Sequence, residues 1–583
     1  RISFFVTGDI LLSLISLYGA YLLRFNFDIP PEFLDPFFTV ALTLISLKLL
    51  FIHAFKNYNV IWRFYGLEEA KKLFFALVGA YGAMALIHTL QPELFAPFPR
   101  SVIIIDLFLS LIFLGGLRLL KRLALGFNPR RMDAKPTLIV GISSDTANLI
   151  KSTLEGANPY YPVAIVALQE KNRNMIGSAI QNLPIVGTEH LSGWIETRRI
   201  TAAIIDGSLP SEQLREGYRL ISDAGIRDIK RSSLLSDGAE AITPLSIEEL
   251  LARHPKDLDT ETIKTFIGRK TVLITGAGGS IGSEIALQCD RFGAEKLVLV
   301  DNNEYNLYQI GENLPNASLH LCSVTDRPSL DAILAATRPD ILIHAAAYKH
   351  VPLCEANARA AIVNNVIGSR NVIDSAIEHR VPKIVIISTD KAVRPTNVIG
   401  ATKRVVELYA QNVDPNNSEI VSVRFGNVLG SSGSVIPKFK SQIESGGPVT
   451  ITHPDITRYF MLIGEACQLV LQAAAIARGG ELFILDMGQP VQIRTLAETM
   501  IRLYATRPVE IVYTGLRPGE KLYEELLINE SEQKTAFESI LIARSTPYPI
   551  DDLVRDIDTL SRTDDIIEGL KKIVPEFEHA KNN

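Results

Sequence analysis

The chain has 583 residues and a mass of 64.3 kDa, enough for three or four domains of about 150 residues each. Its 59 Lys and Arg and 64 Asp and Glu residues give a net charge of −5 and are dispersed along the chain, which argues against an overall nucleic-acid-binding design. The four cysteines have no CxxC or close Cys/His spacing. We therefore expect no disulfide framework, no metal site and a reducing compartment.

The mean hydropathy of the chain is +0.18, and most of the apolar sequence that raises it lies in the first 125 residues. They contain four apolar stretches, namely Ser3–Leu23, Phe37–Phe55, Leu73–Leu90 and Ser101–Leu117. Each is about long enough to cross a bilayer as a helix. A signal peptide is a single short apolar run, and buried helices of a soluble bundle would have a polar face. Residues 1–125 are therefore predicted to form a four-helix transmembrane anchor.

The loops between these stretches predict the orientation of the anchor. Basic residues concentrate in the second connection and after the fourth stretch, at Lys56, Arg63, Lys71, Lys72, Arg118, Lys121, Arg122, Arg130 and Arg131. The first and third connections are poor in Lys and Arg. The positive-inside rule then places both ends, and everything after residue 125, in the cytoplasm. For the ionisable residues of the first stretch we expect a polar interhelical contact at Asp9 and snorkelling of Arg24, with no catalytic role.

From Pro136 onwards, short apolar runs alternate with helical patterns, as parallel α/β sheets require. The first turn, Gly141–Ala147, has one glycine where a dinucleotide site needs three, and Asp145 stands where a phosphate would approach. We interpret residues 134–245 as a Rossmann-like domain with a degraded or absent nucleotide site. Residues 246–269 are polar and helical in pattern, which is typical of a linker.

The next α/β unit opens with a glycine-rich turn. An apolar run leads into Gly276, Gly279 and Gly282 and then into an amphipathic helix, a pattern that lets the backbone approach a pyrophosphate at the helix N-terminus. About twenty residues on, a strand ends in Asp301, whose carboxylate can bind both ribose hydroxyls and would repel a 2′-phosphate. The pattern therefore favours NAD over NADP. The expected cofactor contacts are Gly276, Gly279, Ser280, Ile281, Gly282, Asp301, Asn302, Asp326, Ala345, Ala346 and Lys403.

The segment from Lys383 to Lys403 carries the candidate chemistry. A strand delivers Thr389, Asp390 and Lys391 to its carboxyl end, where ligands bind in open α/β sheets. An acid beside a base suits the elimination of water, because one group protonates the leaving hydroxyl while the other removes a carbon-bound proton. By themselves, Asp390 and Lys391 could equally form a surface ion pair.

Together, the glycine pattern, the Ala345–Ala347 strand end, the Ser388–Lys391 segment and Lys403 resemble the extended short-chain dehydrogenase/reductase superfamily. They are most similar to bacterial nucleotide-sugar 4,6-dehydratases of the polysaccharide-biosynthesis type, which act on UDP-N-acetylglucosamine. Three later segments match as well, namely Arg424–Pro437, His453–Met461 and Leu516–Lys521. The resemblance spans the whole chain, because long membrane-bound members also have four membrane helices and a middle Rossmann-like domain. It implies a Rossmann-type catalytic domain with a C-terminal substrate-binding part over residues 270–583, a bacterial inner-membrane location and a dimer or larger assembly.

The resemblance also implies a mechanism. Bound NAD takes a hydride from C4 of the hexose and returns it to C6, neutral Lys391 removes the C5 proton, and protonated Asp390 helps the C6 hydroxyl to leave. A basic Lys391 requires a lowered pKa, for which burial or the neighbouring Lys403 is the expected cause. The product would be UDP-2-acetamido-2,6-dideoxy-4-keto-hexose. The residues expected to contact the UDP-sugar are Lys349, His350, Asn427, Arg458 and Arg517.

One position departs from the superfamily pattern. The active-site tyrosine, four residues before the lysine, falls on Ile399, and the long membrane-bound members resemble this chain in lacking it. Thr389, Asp390 or a water relay to the cofactor ribose and Lys403 remains to handle the C4 hydroxyl proton. Two alternatives stay open: a UDP-hexose 4-epimerase on the same fold, and a catalytically inactive sensor of UDP-sugar or NAD. The sequence gives no role to Tyr523–Leu526.

Overall fold

The computed structural model describes residues 2–59, 67–126, 134–155, 158–168, 170–234, 240–251, 258–525 and 533–579. It divides into two compact units, Arg1–Ala134 and Lys135–Asn583. Three basic residues of the predicted cytoplasmic segments, Arg63, Arg130 and Arg131, lie outside the described residues, as does Leu526.

The N-terminal unit consists of four long helices, namely α1 (Ile2–Arg24), α2 (Phe37–Ala54), α3 (Leu67–Leu90) and α4 (Arg100–Gly126). Each contains a window long and apolar enough to cross a membrane. The helices follow the four apolar stretches of the sequence, and α3 and α4 extend them into polar residues. Helix α1 packs against α4, and α2 packs against α3.

Ionisable residues inside this bundle are paired. Asp9 accepts hydrogen bonds of 2.7 and 2.8 Å from the terminal nitrogens of Arg118. Lys48 lies 2.9 Å from Asp106, which also accepts a hydrogen bond from Tyr81. These four charged side chains are fully or almost fully buried. Pairing offsets the high free energy of an isolated charge at membrane depth, and Asp9 makes the interhelical contact expected from the sequence.

The next part of the chain forms a seven-stranded sheet with the order β3-β4-β2-β1-β5-β6-β7. Its elements and the two helices that follow are β1 (Lys135–Val140), α5 (Thr146–Glu155), β2 (Tyr160–Val166), β3 (Ala179–Ile180), β4 (Leu183–Val186), α6 (Leu191–Arg198), β5 (Ala202–Ile205), α7 (Ser211–Asp223), β6 (Asp228–Leu234), β7 (Glu240–Pro244), α8 (Ile247–Leu251) and α9 (Thr260–Ile267). Beside the first turn, buried Asp206 accepts hydrogen bonds from Ser143 (2.6 Å) and Thr146 (3.2 Å). A carboxylate facing this turn disfavours a phosphate there.

The catalytic part is built on a nine-stranded sheet with the order β10-β9-β8-β11-β12-β13-β18-β22-β21. Its elements are β8 (Thr271–Thr275), α10 (Ser280–Arg291), β9 (Lys296–Asp301), α11 (Glu304–Asn313), β10 (Ser318–Leu321), α12 (Arg327–Thr337), β11 (Ile341–His344), α13 (Val351–Ala356), α14 (Ala358–Ala361), α15 (Gly368–Glu378), β12 (Lys383–Ile387), α16 (Val398–Asn412), β13 (Glu419–Arg424), β14 (Asn427–Leu429), α17 (Val435–Glu444), β15 (Val449–Ile451), β16 (Thr457–Arg458), β17 (Phe460–Leu462), α18 (Ile463–Ile476), β18 (Leu482–Leu485), β19 (Val491–Gln492), α19 (Ile493–Tyr504), β20 (Ile511–Tyr513), β21 (Gln533–Lys534), β22 (Ile540–Ala543), α20 (Ile550–Arg562) and α21 (Ile566–Ile573).

The strands from β10 to β18 are parallel, and β22 and β21 are antiparallel to their neighbours. The strand order reverses between β8 and β11, which opens a crevice at their carboxyl ends. The predicted doubly wound Rossmann fold of the catalytic part is therefore confirmed.

The part of the chain that contains the middle sheet and the part that contains β17 and α19 share one hydrophobic core. Helix α8 packs against α19 and β17, and Ile247 and Leu250 are buried in the same cluster as Leu496 and Met500. The backbone N–H of Ile247 also donates a 3.3 Å hydrogen bond to the hydroxyl of Tyr504. The described residues of the predicted linker form α8 and α9, and α8 is part of a packed core because its apolar side chains need burial.

Candidate active site

A cavity of about 940 Å³ lies at the carboxyl ends of the parallel strands. It brings together segments that are far apart in the sequence: the glycine turn, the Thr389–Lys391 segment, the first turns of α16 and α17, and a wall of basic residues. The predicted site residues that line it are Gly279, Ser280, Ile281, Gly282, Ala345, Lys349, His350, Thr389, Lys391, Lys403, Asn427, Arg458 and Arg517.

The glycine turn between β8 and α10 fits a dinucleotide. Gly276 has a φ of +69°, and a Cβ there would lie 2.6 Å from the backbone nitrogen of Ala346. A Cβ on Gly282 would lie 2.1 Å from the carbonyl oxygen of Gly276. Only glycine permits this close packing, which leaves the N-terminus of α10 open to the cavity. Asp301 at the end of β9 accepts a 2.9 Å hydrogen bond from the Gly278 N–H, so the carboxylate predicted to bind the ribose stands beside the turn, although it does not line the cavity. The residues present therefore fit NAD.

Other predicted cofactor residues have different positions. Gly276 and Ala346 pack beneath the turn rather than along the cavity wall. Neither Asn302 nor Asp326 lines the cavity. Asp326 instead caps α12, where it accepts a 2.6 Å hydrogen bond from the Ser329 hydroxyl. Its predicted contact with the cofactor stays a prediction, because a helix cap and a ligand contact are compatible with the same sequence pattern.

The Thr389–Lys391 segment follows shortly after β12. Oδ1 of Asp390 accepts hydrogen bonds from the Thr389 hydroxyl (2.9 Å) and from Nζ of Lys391 (3.0 Å). Thr389 and Lys391 line the cavity, whereas the Asp390 side chain is fully buried and does not. Its Oδ2 points toward the backbone of Gly426, where an added Cβ would lie 2.9 Å away. Thr389 and Lys391 therefore stand between the Asp390 carboxylate and the cavity, and the role of Asp390 at the C6 hydroxyl stays a prediction.

The ammonium of Lys391 is surrounded by oxygen atoms. Besides Asp390, it contacts Oδ1 of Asn427 at 3.3 Å and Oε1 of Glu524 at 3.4 Å. Burial favours the neutral amine, but the carboxylates of Asp390 and Glu524 outweigh burial and raise the pKa of Lys391 above its ordinary value. The expected lowering of this pKa is therefore wrong, and the cation that opposes the carboxylates is Arg458 rather than Lys403.

The pKa of Lys403 shifts in the opposite direction to that of Lys391. It is buried on α16, and its ammonium donates a 2.9 Å hydrogen bond to the carbonyl of Ile387. Burial lowers the pKa of Lys403 to about 8, although the carboxylate of Glu407 opposes the shift. Ile399 lies one helical turn earlier and lines the same cavity. Its side chain offers no exchangeable proton at the position of the missing tyrosine.

The substrate-side wall of the cavity is basic. Arg458, Arg517 and Lys438 all line it, and burial together with the charge of Arg517 lowers the pKa of Lys438. Arg458 also contacts Glu520 (3.4 Å) and Glu524 (3.6 Å). Three cations on one wall are suited to bind a diphosphate.

Sequence reasoning missed two residues of the site, Lys438 in this wall and Glu524 behind it. Lys438 could have been found as a basic residue in the first turn of the helix that follows Gly433. Glu524 had no local signal, because nothing near it in the sequence indicates that it contacts Lys391.

The fold and the site define an extended short-chain dehydrogenase/reductase of the nucleotide-sugar dehydratase/epimerase type. The profile of a family described as "Polysaccharide biosynthesis protein" matches residues 272–545. The chain is 36% identical over 571 residues to the capsular polysaccharide biosynthesis protein CapD of Staphylococcus aureus, covering 92% of this chain and 95% of that protein. The chain belongs to the polysaccharide biosynthesis protein family.

Two further relatives extend the comparison. The probable polysaccharide biosynthesis protein EpsC of Bacillus subtilis (strain 168) is 37% identical over 529 residues, covering 87% of this chain and 88% of that protein. A UDP-glucose 4-epimerase of Rickettsia canadensis (strain McKiel) is 34% identical over 275 residues, covering 46% of this chain and 80% of that protein. The similarity thus includes a nucleotide-sugar epimerase over about half of the chain.

Proposed function

We propose that this protein is an NAD-dependent 4,6-dehydratase of UDP-N-acetylglucosamine. Its product would be UDP-2-acetamido-2,6-dideoxy-4-keto-hexose, for cell-surface polysaccharide or protein glycosylation. The observation that carries the proposal is the position of Lys391, which lines the cavity with the Asp390 carboxylate 3.0 Å away. A base in the cavity with an acid behind it suits elimination across C5 and C6.

The chain supplies the proton transfers. NAD held at the glycine turn would supply the hydride acceptor for C4 and the hydride donor for C6. Transfer of a proton from Nζ of Lys391 to Oδ1 of Asp390 leaves a neutral amine and a protonated acid without changing the total charge of the pair. The Lys391 amine then takes the C5 proton, and its ammonium returns a proton to C5 when the hydride reaches C6. Asp390 gives its proton to the Thr389 hydroxyl, which passes its own proton to the C6 hydroxyl as water leaves.

The C4 hydroxyl needs a separate proton acceptor, because Ile399 cannot serve as one. Three candidates remain: Thr389, Asp390, and a water that relays the proton through the cofactor ribose to Lys403. Lys403 suits the relay because burial lowers its pKa to about 8, close to the working pH that favours acid–base catalysis.

The competing function is a UDP-hexose 4-epimerase, which the similarity to the Rickettsia enzyme favours. An epimerase returns the hydride to C4 and needs no base at C5. The test is incubation of the purified full chain with UDP-N-acetylglucosamine in deuterated water, followed by mass spectrometry and proton NMR. We expect the product to have lost one water and to have gained one deuterium at C5. An unchanged mass with inverted C4 would identify an epimerase, and absence of turnover with intact UDP binding would favour the sensor.

For the N-terminal unit we propose a multi-pass anchor in the bacterial inner membrane, with the catalytic part in the cytoplasm and the chain assembled as a dimer or larger oligomer. The support for this orientation is the placement of basic residues in the loops. A single cysteine introduced at Glu93 should react with a membrane-impermeable maleimide in intact cells. A cysteine at Lys72 should react only after permeabilisation, and the reverse pattern would invert the orientation.

A further inference from the structure

The segment after Arg517 is fastened to the loop that precedes α16. The carbonyl of Gly519 accepts 3.0 Å hydrogen bonds from the side chains of Thr396 and Asn397. Nζ of Lys521 donates a 2.8 Å hydrogen bond to the carbonyl of Val393. These contacts place Glu524, from a segment with no assignable sequence motif, behind the wall of the cavity.

Glu524 bridges two functional residues. It is 7% exposed, and its Oε1 lies 3.4 Å from Nζ of Lys391 and 3.6 Å from Nε of Arg458. Its other oxygen, Oε2, has no hydrogen-bond partner within the described part of the chain. A buried carboxylate is costly unless it is paired, so these two ion pairs account for its position.

We propose that Glu524 is a positioning residue whose carboxylate fixes the Lys391 amine in the cavity wall at a set distance from Arg458. The proposal rests on the proposed function in so far as Lys391 is the base. Asn427 and Asp390 hold Lys391 from its own side of the site. Glu524 is the contact that joins Lys391 to the basic wall, so the C5 base and the diphosphate-binding arginine are located relative to each other.

The charges around Lys391 predict that its protonation changes when Glu524 is replaced. The facing charged groups are the carboxylates of Asp390 and Glu524 and the guanidinium of Arg458. Lys403 lines the same cavity but donates to Ile387, and Glu520 lies on the other side of Arg458. Replacement of Glu524 by Gln removes one negative charge that favours the ammonium form of Lys391. The amine should then become neutral at a lower pH, while its position in the wall becomes less defined.

The test compares Glu524→Gln with Glu525→Gln in the full-length protein. Glu525 is the matched control because it neighbours Glu524 but pairs with Lys521 and Arg394, and its side chain is 39% exposed. For Glu524→Gln we expect kcat to fall about tenfold or more through lost orientation. The alkaline limb of its kcat/KM profile, where the Lys391–Asp390 pair loses its shared proton, should move to lower pH by about half a unit or more. UDP affinity by calorimetry should not weaken, because Glu520 still holds Arg458. Glu525→Gln should match wild type in all three measurements.

A second readout separates this proposal from the proposed function. Cyanate carbamylates only the neutral amine, so carbamylation of Lys391, followed by peptide mass spectrometry over the neutral to alkaline range, reports its protonation without turnover. If wild type does not dehydrate UDP-N-acetylglucosamine but Glu524→Gln still shifts the Lys391 profile to lower pH, the proposed reaction fails and the positioning role stands. If Glu524→Gln keeps the wild-type carbamylation profile, the positioning role is wrong. Glu524→Asp, which keeps the charge, should retain the wild-type carbamylation profile and restore part of kcat. If the Gln variant does not fold, the test is kcat of Glu524→Asp: the shorter side chain should lower it below wild type, and an unchanged kcat would overturn the positioning role.

Discussion

The hydroxyl of Thr389 lies at the cavity wall and donates a 2.9 Å hydrogen bond to Oδ1 of Asp390, whose own side chain is completely buried. The threonine thus stands between the acid and the space that a hexose would occupy. This arrangement follows from the 3₁₀ turn Asp390–Ala392 directly after β12, in which the N–H of Asp390 donates to the carbonyl of Phe425. An acid held in this way depends on its neighbour for access to substrate.

We therefore expect Thr389→Val to lower kcat about 100-fold, in the range found for loss of a proton-transfer group. Thr389→Ser retains the hydroxyl and should stay within about tenfold of wild type, since its proton can follow the same route. Steady-state turnover with UDP-N-acetylglucosamine measures both variants. Wild-type activity in Thr389→Val would show that Asp390 acts without the threonine.

The basic wall predicts a change in substrate affinity. Lys438→Met and Arg517→Met each remove one cation facing the cavity, and loss of a charge-assisted contact worth about 1.5–3 kcal/mol should raise KM about tenfold or more. Arg494→Met is the control, because Arg494 is exposed and pairs with Glu498 on the same helix. The difference between site and control variants should shrink at high salt. Equal KM values for all three variants would place the diphosphate elsewhere.

Lys403 predicts a pH dependence of stability. Its folded-state pKa is about 8, below the ordinary value of 10.5, so the unfolded chain binds more protons between these two values. The stability of the protein should therefore rise with pH across that window, and below the folded-state pKa the cost of the buried charge is fully present. Lys403→Met lacks this cost. In thermal unfolding, the stability advantage of Lys403→Met over wild type should shrink as pH increases from neutral to the upper end of the window. A constant difference in stability would contradict the lowered pKa of Lys403.

The charge pair between α1 and α4 predicts a non-additive effect. Asp9→Asn or Arg118→Met alone leaves one uncompensated buried group, and each should destabilise the bundle by about 3–5 kcal/mol. The double variant removes both members of the 2.7 Å pair, so its loss should be well below the sum of the two single losses. Unfolding in lipid-like detergent measures the three variants. Simple additivity would mean that the two side chains do not interact.

The shared core predicts that the middle and catalytic parts unfold together. Leu250→Ala on α8 should destabilise by about 2–5 kcal/mol, as large-to-small core replacements do. The loss should appear in a single transition of the C-terminal unit, because Leu250 belongs to the same cluster as Leu496 of α19. Glu216→Ala, on the exposed face of α7, should be neutral. Two separate denaturation transitions, with only one affected by Leu250→Ala, would show that the parts are independent.

Local sequence patterns determined much of this protein. The spacing of Gly276, Gly279 and Gly282 predicts the phosphate-binding turn, because close backbone approach needs glycine at those positions. The four apolar stretches predict the four long helices, because length and apolarity are properties of contiguous residues. The Thr389–Lys391 segment was predicted at a strand end beside a ligand cavity, and its first and last residues line that cavity.

Tertiary structure decided which of these groups face the cavity and what surrounds them. Asp390 and Lys391 are adjacent in sequence, yet one is buried against Gly426 and the other lines the cavity. The pKa of Lys391 is raised rather than lowered because the carboxylates of Asp390 and of Glu524, the latter from a distant segment, outweigh the effect of burial. The charge state of a side chain depends on burial and on every charge within a few ångströms. Sequence motifs thus name the reacting groups, but only the packing of distant segments sets their access and their protonation.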